Sequence, residues 1–103
     1  VDAEKFGLKP RRRLVWNTLH EIEIIQHCLE QQKSIVGLFD WHCLMRGKRS
    51  FNEWHYVEIL QIKMENKTSI QLQYWNPNGG RQENIQVSLA QFKRSFWIYW
   101  SIA

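Results

Sequence analysis

One imidazole stands where it could do chemistry. The segment Trp54-His55-Tyr56-Val57-Glu58-Ile59-Leu60 reads as a β-strand that opens on His55. Tyr74-Trp75-Asn76-Pro77-Asn78-Gly79-Gly80 reads as a strand that ends in an Asn-Pro turn and a glycine pair. The turn signal Glu65-Asn66-Lys67 between them predicts antiparallel neighbours, which brings His55 beside Asn76. An amide that fixes the tautomer and direction of an imidazole is half of a catalytic constellation. The second-tier candidates for the other half are His42 and Cys43, in a polar loop that returns the chain to His55. Their plainer roles are a hydrogen-bonded strand-end histidine and a buried thiol. The same loop carries Arg46, Lys48 and Arg49, and Arg81 follows the glycine pair. These cations suit an anionic substrate, and Trp75 could stack a planar one.

The elements that must position these residues are legible as periodicity. A lead-in from Val1 to Trp16 holds Lys9-Pro10-Arg11-Arg12-Arg13, where Pro10 blocks a helix and a solvated basic loop is expected. Thr18-x-x-Glu21 reads as a capping box, and Leu19, Ile22, Ile25 and Leu29 recur on one face of the helix it opens. Cys28 lies late on that helix, the wrong end for dipole activation, and reads as a buried structural thiol. Ser34 to Trp41 is a buried strand, rich in β-branched and aromatic residues. In the strand from Trp54, one face carries Trp54, Tyr56, Glu58, Leu60 and Ile62, so Glu58 is either a solvated edge residue or an unusual carboxylate. The partner strand, Ser69 to Trp75, sets Ile70, Leu72 and Tyr74 against Gln71, Gln73 and Trp75. Ile85 to Val87 reads as a short strand. Ser88-x-x-Gln91 opens a final helix whose stripe is Leu89, Phe92, Phe96 and Trp100.

Composition bounds the classes. The chain has 103 residues, 44% of them hydrophobic, with six tryptophans, enough for one core without staples. Fourteen Lys and Arg against ten Asp and Glu favour an acidic or nucleic-acid partner. Two cysteines make no disulfide framework and have no zinc spacing, and the expectation is no metal, no cofactor and action inside a cell. No apolar run reaches membrane-spanning length. The Val start suggests the C-terminal fragment of a longer chain, with residues 1–103 forming one domain.

The order helix, strand, His-starting strand, Asn-Pro-ending strand, helix resembles the second half of a papain-like cysteine peptidase. It is closest to the double-glycine leader peptidases of bacteria and the papain-fold domains of bacterial polymorphic toxins. The resemblance covers most of the chain and rests on Trp54-His55-Tyr56-Val57, Trp75-Asn76-Pro77 with its glycine pair, Ser88-Leu89-Ala90-Gln91-Phe92 through Trp100, and Phe6-Gly7-Leu8. It implies an α+β, papain-like half-barrel: a helix, an antiparallel sheet of three to four strands, and a C-terminal helix. It also implies that His55 and Asn76 are the catalytic pair. The family's nucleophilic cysteine, at the start of a preceding helix, has no counterpart here.

Three functions remain open. The first is a toxin that cuts RNA, with tRNA favoured, by metal-free acid–base chemistry. His55 would act as base or acid, His42 as its counterpart, and Arg46, Lys48, Arg49 or Arg81 as the cation for the phosphorane-like charge. The second is the His/Asn half of a cysteine peptidase or deamidase, with the nucleophile on a lost or separate segment; Cys43 counts among the catalytic residues only if a thiol is used. The third is an inactive module that binds a protein. The toxin resemblance implies an effector delivered from the cell surface or by secretion into a target cell's cytoplasm. It implies an acidic immunity protein as partner and, for some RNA-cutting members, a translation factor.

Overall fold

The computed structural model describes residues 11–49, 53–77 and 79–102. Its elements follow as β1 (Arg11–Leu14), α1 (Thr18–Glu30), β2 (Ser34–Asp40), α2 (Trp41–Arg46), β3 (Trp54–Asn66), β4 (Ser69–Asn76), β5 (Arg81–Ser88), α3 (Leu89–Ser95) and β6 (Phe96–Ile102). The strands form an antiparallel sheet in the order β1-β6-β2-β3-β4-β5. The class is α+β as expected, with six described strands rather than three to four. The expected helix through Trp100 stops at Ser95. The run Phe96-Trp97-Ile98-Tyr99-Trp100 continues as β6, between β1 and β2. Aromatic and β-branched residues favour a half-buried pleated surface, and two flanking strands offer this run a full ladder.

Burial shows which face holds the core. Ile22 and Ile25 of α1, Leu44 of α2 and Phe92 of α3 pack in one cluster with Ile35, Phe39, Val57, Ile59, Leu72, Tyr74 and Tyr99 of the strands. Each fully buried aliphatic side chain contributes about 1.5–3 kcal/mol. The helices therefore cover one face of the sheet. The alternate strand residues, among them Tyr56, Glu58 and Trp75, are exposed on the other. Glu58 is thus the solvated residue of the two expected alternatives. The expected grouping of Ile62 with Trp54 and Tyr56 fails, because a bulge between Ile59 and Gln61 shifts the register and turns Ile62 into the core. The hairpin itself is as expected: Asn66 Oδ1 accepts from Thr68 N at 2.8 Å and closes the turn into β4.

The lead-in is corrected in part. Arg11 to Leu14 are an edge strand on β6, not a loop, while Phe6-Gly7-Leu8, Lys9 and Pro10 lie outside the described residues. Helix α1 starts at Thr18, but its cap is Asn17, whose Oδ1 accepts from His20 N at 3.3 Å. Glu21, freed from capping, is 3% exposed. It accepts from Arg13 Nε at 2.7 Å and from Tyr99 Oη at 2.8 Å, tying β1, α1 and β6 together. Leu19, expected in the core, is 46% exposed. Cys28 is half-buried against the core rather than enclosed by it.

Among the described glycines, Gly37, at the centre of β2, makes the closest approach. A Cβ there would lie 2.7 Å from Phe39 Cε2 and 3.1 Å from Phe96 Cε1. Those two rings stack with centroids 4.6 Å apart in the fully buried layer, so neither can give freely. Gly37→Val is expected to lower the unfolding free energy by about 1–3 kcal/mol through overpacking. Urea denaturation with an unchanged m-value would show it.

Candidate active site at one end of the sheet

The antiparallel order brings the end of β2, the start of β3, the end of β4 and the start of β5 to one end of the sheet. His42, His55, Asn76 and Arg81 all belong to that end. The expected strand through Trp41 ends at Asp40, and the stretch from His42, expected to be a loop, opens inside helix α2. Asp40 is its N-cap, its Oδ1 accepting from Cys43 N at 3.1 Å. Gly47 ends the helix in the left-handed region at φ 80°, its N–H donating to Cys43 O at 2.8 Å. Trp41 N donates to Glu53 O at 2.7 Å, which fastens the start of α2 to the approach of β3.

The imidazoles are held differently. His55 is half-buried on the helix side of β3, with its ring 5.4 Å from the Trp41 ring. Trp41 in turn meets Tyr74 edge-on at 5.3 Å. His42 is also half-buried, and its Nδ1 lies 2.6 Å from the Lys48 carbonyl oxygen. A carbonyl only accepts, so Nδ1 carries the proton and Nε2 is left to exchange one.

The Asn76 amide is engaged with Glu83: Nδ2 donates to Oε1 at 2.8 Å, and no hydrogen bond joins Asn76 to His55 among the described residues. The reason is the length of β5. It begins at Arg81, not near Ile85, and sets Glu83 opposite Tyr74 and Arg81 opposite Asn76. Glu83 also accepts from Tyr74 Oη at 2.9 Å and from Arg81 Nε at 3.4 Å. The bonds from Asn76 and Tyr74 hold its carboxyl below the usual glutamate range. Burial and the same bond push the Tyr74 phenol up to about 12.

Cys43 is 0% exposed, and burial, with Asp40 nearby, raises its thiol above the ordinary range. A thiol so placed is no nucleophile. Native protein should take up iodoacetamide at Cys28 long before Cys43, and Cys43 should react only at the rate of unfolding. Peptide mapping after timed alkylation checks this; equal rates would contradict it.

Among the described residues, the cations share no common partner. Arg46, Lys48 and Arg49 are exposed, with Arg49 Cζ 5.7 Å from the centre of the Trp97 ring. Arg81 is exposed beside Glu83. Trp75 is 42% exposed on the opposite face of the sheet from His55. Glu83, Asp40 and Trp41 were missed in the sequence. The signal for α2 was present as Asp40 three residues before Cys43 with Gly47 closing the turn. Among the described residues no group of three His, Cys, Asp or Glu side chains could hold a metal ion, and no helix is long and apolar enough to cross a membrane. Comparison with known proteins assigns no family: no family model, no curated protein and no solved structure matches this chain.

Proposed function

We propose that this domain is a metal-free ribonuclease of the toxin-effector type, acting at the sheet end that holds His55 and His42. The observation that supports it best is the placement of two half-buried imidazoles at one end of the sheet, His42 in the first turn of α2 and His55 at the start of β3, with Arg46, Lys48 and Arg49 in the stretch between them. In this chemistry one imidazole takes the proton of a ribose 2′-hydroxyl, whose oxygen forms a bond to phosphorus. The P–O5′ bond breaks, and the second imidazole gives its proton to the departing oxygen. An arginine stabilises the added charge on the phosphorus oxygens. The products are a 2′,3′-cyclic phosphate and a 5′-hydroxyl.

The scaffold belongs, in this proposal, to the papain-like half-barrels, extended by β1 and β6. Support comes from the His-bearing β3 lying beside a β4 that ends in Asn76-Pro77. The buried Cys43 and the engagement of Asn76 with Glu83 favour acid–base over thiolate chemistry for this chain. The partners in this reading are tRNA as substrate and an acidic immunity protein that covers the basic end. Incubation with total cellular RNA, with EDTA and iodoacetamide present, tests it. Discrete fragments are expected; RNA that stays intact, even with cell extract added, would overturn the proposal.

A further inference from the structure

The face of the sheet opposite the helices has no described covering element, and its residues are not those of an ordinary solvated surface. Register places Arg12, Trp100, Val36, Glu58, Trp75 and Gln82 in a row across all six strands. The next row toward the His55 end is Leu14, Ile98, Leu38 and Tyr56. Tyr56 is 59% exposed, and its ring lies 5.7 Å from that of Trp100. One step further, Trp54 meets Trp97 edge-on at 5.5 Å, with the Arg49 guanidinium against Trp97.

Trp100 and Trp75 are three strand spacings apart, about 14 Å. That is the reach of two or three bases laid on a sheet. Beyond the aromatic rows, along β3, β4 and β5, the same face turns to amides. A shallow groove there is lined by Gln61, Lys63, Gln71, Gln73 and Asn84. A face that docked another protein by burying apolar area would not hand over to carboxamides. Amides pair with base edges, and Glu58 can accept from a cytosine amino group. Arg12 at one margin and Arg49 at another supply cations to the phosphates, in a chain of net charge +4.

From this arrangement we propose that the open sheet face binds single-stranded RNA. Bases stack on Tyr56, Trp100 and Trp75, the backbone runs between Arg12 and Arg49, and the following bases lie over the amide groove. Stacking needs exposed base planes, so a duplex is excluded from the site. The choice of RNA over DNA rests on the cleavage proposal above; the binding face itself does not require that cleavage occur.

A labelled ten-nucleotide 2′-O-methyl RNA, which cannot react through its 2′-oxygen, separates the two proposals. Fluorescence anisotropy at low salt should show binding by wild type and by His55→Ala alike. Tyr56→Ala with Trp100→Ala should weaken binding by about tenfold or more, and Trp75→Ala alone by a similar factor, as lost stacking does. Arg12→Ala should reduce the salt slope by about one. Leu19→Ala, on the helix-covered side, should change nothing, and circular dichroism should find every variant folded. Equal binding by wild type and the aromatic variants would overturn the inference. So would preference for the duplex, or absence of binding with dimerisation through this face. Failure of wild type to cut unmodified RNA while still binding this probe would sink only the ribonuclease proposal.

Discussion

Replacement of Glu21 by alanine should lower the unfolding free energy by about 3 kcal/mol and the midpoint temperature by about 15 °C. The carboxylate is buried at 3% exposure and takes bonds from Arg13 Nε, Arg13 Nη2 and Tyr99 Oη at 2.7, 3.3 and 2.8 Å. Its loss strands a buried phenol donor, costing about 1–3 kcal/mol. The broken pair with Arg13 adds less than a fully buried pair would, because the Arg13 side chain is 48% exposed and screened. Burial acts to raise the Glu21 carboxyl, but the bonds from Arg13 and Tyr99 outweigh it and the net shift is downward. A lowered folded-state pKa stabilises the fold above the usual glutamate value of about 4.3. That contribution is lost as the pH falls through the lower folded value. The stability gap between wild type and Glu21→Gln should therefore close on acidification. Urea melts at neutral pH and at pH 3 measure this, and a gap that stays constant would contradict it.

His55→Ala should reduce RNA cleavage by about 10²–10⁴-fold, the range for removal of a general acid or base. The fold should survive, since His55 is half-buried and, among the described residues, packs its ring near Trp41 with no side-chain hydrogen bond. His42→Ala should cost a comparable factor, because each imidazole carries one proton transfer in this chemistry. Parallel initial rates on one RNA, with circular dichroism as the folding control, separate chemistry from stability.

How far the sequence revealed this molecule depended on whether local pattern and tertiary partners agreed. The β3–β4 hairpin was legible because its alternation, its Asn66 turn and its final pairing point the same way. Leu89, Phe92, Phe96 and Trp100 also fit a helical stripe. Only the ladder offered by β1 and β2 makes the second half a strand. Arg11 to Leu14 carry almost no strand propensity and pair solely because β6 is there. The capping box at Thr18 failed because Glu21 found two better partners from elements distant in sequence.

The candidate site divides similarly. The position of His55 was readable from its own strand. The engagement of Asn76 was not, because it depends on where β5 starts and on Glu83 reaching across to Tyr74. The plainer role of Cys43, a buried thiol, was readable, but not the helix α2 that turns it into the core, because the stretch from His42 reads as a loop.

The most direct measurement is mass spectrometry of the ends made from a short RNA carrying one ribose among 2′-O-methyl residues. A 2′,3′-cyclic phosphate and a 5′-hydroxyl are expected at that ribose, in EDTA, with wild type and not with His55→Ala. Intact RNA, or 5′-phosphate ends, would contradict the ribonuclease proposal.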